Sequence, residues 1–292
     1  MGSSLRKYSS IKIGGEAEKI LFLRNLLAEP KMSLPEPIRI LGFASNILID
    51  DRGLRGTVLI TRDDELPEPQ ILREDDRKLT IKVGSGFSMQ RLARWSSKRG
   101  LSGCEYMIGI PGSLGGALLQ NAGANEQDLS MILESAEVFD LSTRERRTLR
   151  CSDCSLSYRS SNLKQHPEIL VLELELELKK ASVDECESRL HLNLDYRKQK
   201  TPYQKPSLGS TWTRLKHGED WLYPGQLIEN AGLKGLKLGS IKISEVHANY
   251  LINEGDATFV DALALIKTVE QKVFEQSGVK LQREILIWSD LQ

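Results

Sequence analysis

The chain has 292 residues, in which 40 Lys and Arg balance 40 Asp and Glu, and 40% of the residues are hydrophobic. At roughly 100–200 residues per domain this length predicts two or three domains, and the neutral charge argues against a nucleic-acid binder. Four cysteines are too few for a disulfide scaffold. No apolar run approaches the roughly 18 residues of a membrane helix, and no export signal precedes the first element, so a cytoplasmic protein without membrane contact is expected.

The beginning of the chain predicts a small α/β unit that reaches residue 62. Its strand candidates are the apolar runs at residues 38–41, 47–50 and 57–60. The first run stops at Gly42, which is typical of a buried strand entering a turn. An acidic, proline-bearing stretch at residues 63–69 is the expected boundary to the next unit.

The middle of the chain predicts a second unit with strands and one clear helix. Residues 79–84 alternate between two faces, as a half-buried strand does. Ser88 has the character of a helix N-cap, so we predict a helix over residues 89–99 that ends at Gly100. Residues 172–178 alternate leucine with glutamate, which predicts a strand with a carboxylate-rich solvent face rather than a metal site.

The last third predicts a further unit joined by a polar helical link at residues 181–200. Its strand candidates are residues 241–243 and 250–252. Apolar residues at helical spacing predict a long amphipathic helix over residues 257–277, ended by a glycine. One final strand is expected over residues 281–288.

The most unusual stretch, residues 108–117 and 121–124, is rich in glycine and small side chains. Such residues let a polyanion approach the main chain closely, although a tight turn packed on a helix explains the composition equally well. Turns at residues 42–46 and 84–86 also follow predicted strands, and the three turns either bind one phosphate-bearing ligand or are simple bends. No Walker A loop and no dinucleotide G-x-G-x-x-G is present, which disfavours P-loop and Rossmann folds.

Segments along nearly the whole chain resemble the UDP-N-acetylenolpyruvoylglucosamine reductases, in family order. The most diagnostic is Gly109-Ile110-Pro111-Gly112-Ser113-Leu114-Gly115-Gly116-Ala117, followed by Asn121-Ala122-Gly123-Ala124. The other matching segments are residues 8–15, 41–50, 158–161, 206–212, 231–235, 247–250 and 282–284. The chain is similar to the shorter subtype of this family.

The resemblance implies an α+β fold with a two-part FAD-binding module of the vanillyl-alcohol-oxidase-like type and a C-terminal α+β substrate-binding domain. The implied divisions are residues 1–65 and 66–182 for the two FAD-binding subdomains, 183–199 for a linker and 200–292 for the substrate-binding domain. It implies a monomeric enzyme that uses NADPH and noncovalent FAD to reduce the enolpyruvyl ether of a UDP-sugar to UDP-N-acetylmuramate, a peptidoglycan precursor.

The resemblance also implies site residues. The family's catalytic arginine, serine and glutamate fall on Arg159, Ser210 and Glu284. The implied FAD contacts are Gly42, Ala44, Ser45, Asn46, Gly84, Gly86, Gly109, Ile110, Pro111, Gly112, Ser113, Gly115, Gly116, Ala117, Asn121, Ala122, Gly123 and Ala124. The implied substrate contacts are Tyr158, Arg214, Gln226, His247 and Asn249. Ala44 departs from the family, which commonly has glycine there.

Arginine, serine and glutamate, the three implied catalytic residue types, suit the implied chemistry. Hydride addition to the outer vinyl carbon builds negative charge beside the substrate carboxylate, which calls for preorganised positive charge or donors. Arg159 offers a planar fork for a carboxylate, Glu284 can hold the arginine or share a proton, and Ser210 is the expected proton donor. Outside that role, an arginine is more often a surface ion-pair partner, and a serine after glycine is more often a turn hydroxyl.

Other candidates carry less weight. Cys151 and Cys154 form a lone C-x-x-C without further ligands, and no histidine spacing indicates a metal site. Arg214, Lys216 and Lys234 are candidates for a diphosphate, but solvated surface charges explain them equally well. A sugar or alcohol oxidase on the same FAD module is one alternative, but it would leave Arg159, Ser210 and Glu284 without a role. A nucleotide-sugar-binding protein without catalytic activity is another, and it should have lost one of these residues.

Overall fold

A computed structural model describes residues 4–62 and 67–290 of the chain. The chain divides into two compact units, unit 1 with Met1–Glu18, Ala44–Arg55 and Arg197–Gln292, and unit 2 with Lys19–Phe43 and Gly56–Tyr196. Residues 1–65 therefore contribute to both units, and the division into three segments stays a prediction. Of the predicted boundary stretch, residues 63–66 lie outside the described residues.

The elements alternate along the chain as an α+β protein. The helices are α1 (Leu23–Ala28), α2 (Met89–Ser97), α3 (Leu114–Gln120), α4 (Val183–Lys200), α5 (Pro224–Asn230) and α6 (Phe259–Ser277). The strands of the first two thirds are β1 (Ala17–Phe22), β2 (Ile38–Leu41), β3 (Ile47–Ile49), β4 (Leu54–Ile60), β5 (Gln70–Glu74), β6 (Lys78–Gly84), β7 (Leu101–Ser102), β8 (Gly123–Ala124), β9 (Gln127–Asp128), β10 (Leu133–Asp140), β11 (Arg146–Arg150) and β12 (Ile169–Lys180). The remaining strands are β13 (Ser207–Ser210), β14 (Trp212–Thr213), β15 (Leu215–His217), β16 (Asp220–Leu222), β17 (Lys237–Leu238), β18 (Ile241–Ile243), β19 (Tyr250–Asn253), β20 (Gln282–Arg283) and β21 (Leu286–Trp288). Short 3-10 turns occur at Leu5–Lys7, Glu105–Met107, Leu129–Met131, Cys151–Cys154 and Asn162–Gln165.

Unit 2 is built on an antiparallel sheet in the order β11-β10-β12-β6-β5, with β7 paired to the end of β12. The leucines of β12 from Leu172 to Leu178 are buried, as the alternation predicts. The glutamates between them are ion-paired across the sheet, for example Glu173 with Lys82 at 2.5 Å and Glu177 with Lys78 at 2.6 Å. The carboxylate face is therefore a ladder of ion pairs.

Helix α2 and the glycine-rich segment pack against the other face of this sheet. The helix begins at Ser88, whose Oγ accepts from Arg91 N at 3.4 Å, so the predicted N-cap is confirmed. Leu92 on the helix and Leu118 on α3 are fully buried in the same core as Leu174 and Leu176. A second sheet, β1-β4-β2, has parallel β2 and β4 and shares an apolar cluster with Phe139 of β10 and Leu172 of β12.

Unit 1 packs α6 against the sheet β13-β19-β18-β17. The helix begins at Thr258, whose Oγ1 accepts from Asp261 N at 3.1 Å, and ends at Gly278, close to the predicted bounds. Its buried face, which includes Ile266 and Val269, meets Ile243 and Leu251 of the sheet. No helix among the described residues is long and apolar enough to cross a bilayer.

The predicted final strand over residues 281–288 is wrong as one element, because it is interrupted at Glu284 and Ile285. Strand β20 pairs with β14, whereas β21 runs parallel to β3. The two short strands have different partners, so the chain must change direction between them.

Candidate active site

In unit 2, the glycine-rich segment and two of the predicted turns lie side by side. Gly115 N donates to Ser85 O at 2.7 Å, and Met89 N donates to Gly112 O at 3.0 Å. At Gly42, a Cβ atom would collide with Ser113 Oγ, so any larger residue would require that side chain to move. Three segments that are distant in sequence therefore bring glycines and small side chains together at one place within the unit.

Helix α3 fixes the far end of this segment through Asn121. Asn121 has φ +40° and ends the helix. Its side-chain nitrogen donates to Ser157 O at 3.2 Å, while its side-chain oxygen accepts from Ser130 N at 3.1 Å. The amide of this implied cofactor contact thus ties α3 to the loop that carries Arg159.

Arg159 occupies a tight turn in unit 2 and has φ +52°, in the left-handed region that arginine rarely adopts. Ser157 and Ser160 close the turn with reciprocal backbone hydrogen bonds of 3.0 and 3.1 Å. The guanidinium donates from Nη2 to Gly123 O at 3.0 Å, and its Cζ lies 5.3 Å from the ring centre of Tyr158. The structure therefore orients Arg159 against the implied FAD-contacting strand β8.

The residues of unit 2 fit a polar cofactor. Ser85 Oγ and Tyr106 Oη are buried and have no hydrogen-bond partner among residues 4–62 and 67–290. Burial raises the pKa of Tyr106 well above its usual value, so the phenol stays a neutral donor. Unpartnered buried hydroxyls cost free energy, and beside the three approachable turns they fit a ligand such as FAD. Sequence reasoning missed Tyr106, because nothing in its spacing separates it from a core aromatic.

Unit 1 holds the other three implied cofactor contacts, Ala44, Ser45 and Asn46. Ala44 has φ +47°, a conformation that explains why glycine suits this position. The Asn46 side-chain nitrogen donates to Leu208 O at 3.0 Å and to Ser210 O at 2.8 Å. This turn therefore fixes the main chain at the candidate proton donor.

Ser210 and Glu284 lie on adjacent segments of unit 1, although 73 residues separate them in the chain. Glu284 N donates to Thr211 O at 2.8 Å, and β14 pairs with β20 directly beside them through Trp212 and Arg283. Both Ser210 and Glu284 are half-buried. The structure thus brings two of the three implied catalytic residues together, and Arg159 belongs to unit 2.

The implied substrate contacts of unit 1 are distributed around the same strands. Asn249 is nearly buried, and its side-chain amide accepts from Trp212 N at 3.0 Å and donates to Trp212 O at 2.9 Å. His247 Nδ1 accepts from Asn249 N at 3.2 Å. Burial lowers the pKa of His247, and the charges of Lys234 and Arg197 lower it further, so the imidazole is neutral near pH 7.

The charged and polar candidates nearer the surface have other contacts. Arg214 Cζ lies 4.1 Å from the ring centre of Trp221, and Lys234 is paired with Glu229 at 2.6 Å. Gln226 lies in the first turns of α5. Tyr158, the substrate candidate of unit 2, is 43% exposed, which leaves its ring accessible.

Comparison with known proteins identifies both halves of the chain. Residues 33–149 match the FAD binding domain family, and residues 201–288 match the C-terminal domain of UDP-N-acetylenolpyruvoylglucosamine reductase. The reductase of Anoxybacillus flavithermus is 38% identical over 97% of this chain and 92% of its own, and that of Halalkalibacterium halodurans is 37% identical over 98% and 92%. The solved reductase of Thermus caldophilus is 27% identical, with a TM-score of 0.78 over 99% of this chain and 100% of that one. The chain therefore belongs to the UDP-N-acetylenolpyruvoylglucosamine reductase family.

Proposed function

We propose that this protein reduces the enolpyruvyl ether of UDP-N-acetylglucosamine to UDP-N-acetylmuramate, with NADPH as electron source and noncovalent FAD as cofactor. The relatives carry the name of this reaction and match almost the whole chain. The observation that carries the proposal is the hydrogen bond of 2.8 Å from Glu284 N to the carbonyl of Thr211, the residue after Ser210. We assign the Ser210 hydroxyl and the Glu284 carboxyl group on these neighbouring segments to proton transfer.

Arg159 is assigned to the substrate carboxylate. FAD, when bound, supplies hydride transfer from NADPH to the outer carbon of the double bond. The charge that then develops beside the carboxylate is stabilised by a cation that is already oriented. The Gly123 hydrogen bond supplies that orientation, because it fixes the plane of the guanidinium.

Ser210 is assigned as the proton donor to the carbon that bears the carboxylate. A serine hydroxyl is a weak acid, so its position relative to that carbon must be well fixed. Asn46 holds the Ser210 carbonyl, and Glu284 lies on the neighbouring segment. Glu284 is assigned to share its proton with the enolate form of the substrate carboxylate that develops on hydride addition.

The remaining substrate contacts follow from exposure and charge. Tyr158, Arg214, Gln226 and His247 are proposed to contact the UDP-sugar, and Arg214, Lys216 and Lys234 are candidates for its diphosphate. Asn249 is proposed to act indirectly, because both ends of its amide hold Trp212. A cytoplasmic, monomeric enzyme is proposed, since all four cysteines are free thiols and reducing compartments keep thiols in this state.

The test is a pair of anaerobic half-reactions on the purified protein. NADPH should bleach the flavin, and the enolpyruvyl UDP-sugar should restore its colour. In Ser210→Ala, bleaching should be unchanged, while recolouring by the UDP-sugar should slow by roughly 10²–10⁴-fold, as for loss of a positioned acid. Ser207→Ala, on the same strand β13, is the matched control and should behave as the parent.

Three outcomes would contradict the proposal. Normal recolouring of Ser210→Ala would remove Ser210 from the proton-donor role. Recolouring by oxygen but not by the UDP-sugar would favour an oxidase. A flavin that NADPH does not bleach would favour a binding protein without turnover.

A further inference from the structure

One carboxylate of α6 holds the two paired strands β14 and β20, which lie next to Ser210 and Glu284 in the chain. Glu270 Oε1 accepts from Trp212 Nε1 at 2.9 Å and from Arg283 Nε at 2.6 Å. Its second oxygen, Oε2, accepts from Arg283 Nη2 at 2.6 Å. The arginine is thus bound at two points, the strongest geometry for such a pair.

The two partners of Glu270 face each other across a strand pair. Trp212 of β14 is in register with Arg283 of β20. Ser210 precedes Trp212 by two residues, and Glu284 follows Arg283 directly. Any displacement of β14 relative to β20 would therefore change the distance between the proposed proton donor and the proposed carboxylate.

The surroundings make this contact specific. The Trp212 side chain is 1% exposed, so its indole N–H needs an acceptor inside the protein. The side chains of Arg283 and Glu270 are 32% and 22% exposed, so water reaches part of this pair while the indole end of the contact is buried. Glu270 raises the pKa of Arg283 through their hydrogen bonds, and the guanidinium stays charged.

Trp212 is fixed at its main chain as well as at its ring. Asn249 holds the main-chain N and O of Trp212, and Glu270 holds the indole. With backbone and side chain both fixed, the segment from Ser210 to Trp212 has little freedom to move.

We infer that Glu270 is a positioning residue, which sets Glu284 relative to Ser210 by joining Trp212 and Arg283. This inference rests on the roles given to Ser210 and Glu284 in the proposed function. Glu270 itself touches neither of those side chains in any contact described above, so its effect is indirect. Errors of about 1 Å at reacting groups can cost roughly a hundredfold in rate.

The test compares Glu270→Leu, which removes both contacts, with Glu270→Gln, which keeps an oxygen for Trp212 but loses the charge facing Arg283. Recolouring of the NADPH-reduced flavin by the UDP-sugar should slow roughly tenfold to a hundredfold in the leucine variant and less in the glutamine variant. Bleaching by NADPH and the KM for the UDP-sugar should be unchanged. Glu275→Leu, an exposed position on the same helix, is the matched control and should equal the parent.

Unchanged recolouring in Glu270→Leu, or an equal slowing of both half-reactions, would overturn the inference. If the leucine variant does not fold, Glu270→Gln and Trp212→Phe decide, since each removes only part of the network. Proton exchange of the Trp212 indole N–H, followed by NMR, should be faster in Glu270→Leu than in the parent. A parent that the UDP-sugar cannot recolour refutes the proposed function instead, and the exchange measurement then still reports whether Glu270 holds Trp212.

Discussion

The two units differ in how much the backbone itself contributes to holding their candidate catalytic residues. In unit 1, polar side chains form hydrogen bonds to neighbouring segments, as Asn46 does with the Ser210 carbonyl and Glu270 does with Arg283. In unit 2, the turn of Arg159 is held mainly by reciprocal main-chain hydrogen bonds, together with the Asn121 amide at Ser157 and the contact of Arg159 with the carbonyl of Gly123. Removal of a polar side chain should therefore lower the stability of unit 1. Addition of a side chain should lower the stability of the glycine-rich part of unit 2.

The largest effect is expected at Gly123, where a Cβ atom would lie 2.6 Å from Asp128 Cβ. Gly123→Ala should lower the free energy of unfolding by about 3 kcal/mol, because this strand pair cannot absorb the overlap. Urea denaturation measures the change. Gly116→Ala is the control, since the nearest atom to its added Cβ is Ser113 Oγ at 3.3 Å, and equal losses in the two variants would contradict the comparison.

The next effect is expected in unit 1, on removal of the Asn249 amide. Asn249→Ala leaves the buried N–H and C=O of Trp212 without these partners and should cost about 2 kcal/mol. Thermal or urea unfolding measures it. Asn230→Ala, which removes an exposed amide at the end of α5, should cost little. An equal loss of stability in both variants would show that hydrogen bonds from polar side chains do not distinguish unit 1 from unit 2.

A smaller effect concerns Asp50 of unit 1 and depends on pH. Hydrogen bonds from the Arg52 side chain, aided by Ser289, lower the pKa of Asp50 to about 2. Its stabilisation is therefore present above the unfolded-state pKa of about 4 and is lost as the pH falls through the folded value.

Asp50→Asn should lower the free energy of unfolding by about 1.5 kcal/mol at pH 7, and the difference from the parent should shrink between about pH 4 and 2. Urea unfolding across this pH range tests the expectation. A difference that is constant over the whole range would show that the charge of Asp50 is not responsible.

The smallest effect is expected on the ion-paired face of the unit 2 sheet. Arg73 Nη1 and Glu175 Oε2 lie 3.8 Å apart, and both side chains are partly exposed. Glu175→Gln should change the free energy of unfolding by about 0.5 kcal/mol or less, because exposed pairs are screened by water and salt. A loss as large as that of Asn249→Ala would mean that polar side chains support both units alike.

Local patterns predicted the regular elements well. The alternation of leucine and glutamate identified β12, and helical spacing with a terminal glycine identified α6. Helix α1 was missed because its six residues continue an apolar run that begins in β1. The break at Glu284 could not be predicted, because it arises from partners that lie far away in the sequence.

The site was predictable only where a family motif marks it. Ser210 and Glu284 stand in such motifs, and their adjacency is a result of the fold. Glu270 is one of two glutamates on α6, and only the contacts with Trp212 and Arg283 separate it from Glu275. Ser85 and Tyr106 are among the few buried residues whose hydroxyls lack hydrogen-bond partners in the described part of the chain, which their positions in the sequence do not reveal.

The left-handed backbone of Arg159 offers a practical tool for trapping complexes. A non-glycine residue there costs roughly 1–2 kcal/mol, so Arg159→Gly relieves the backbone while it deletes the guanidinium. Because the proposal assigns Arg159 to the substrate carboxylate, the variant should be inactive, while the backbone hydrogen bonds between Ser157 and Ser160 keep its turn. It would allow the UDP-sugar to be soaked into crystals and seen before it reacts.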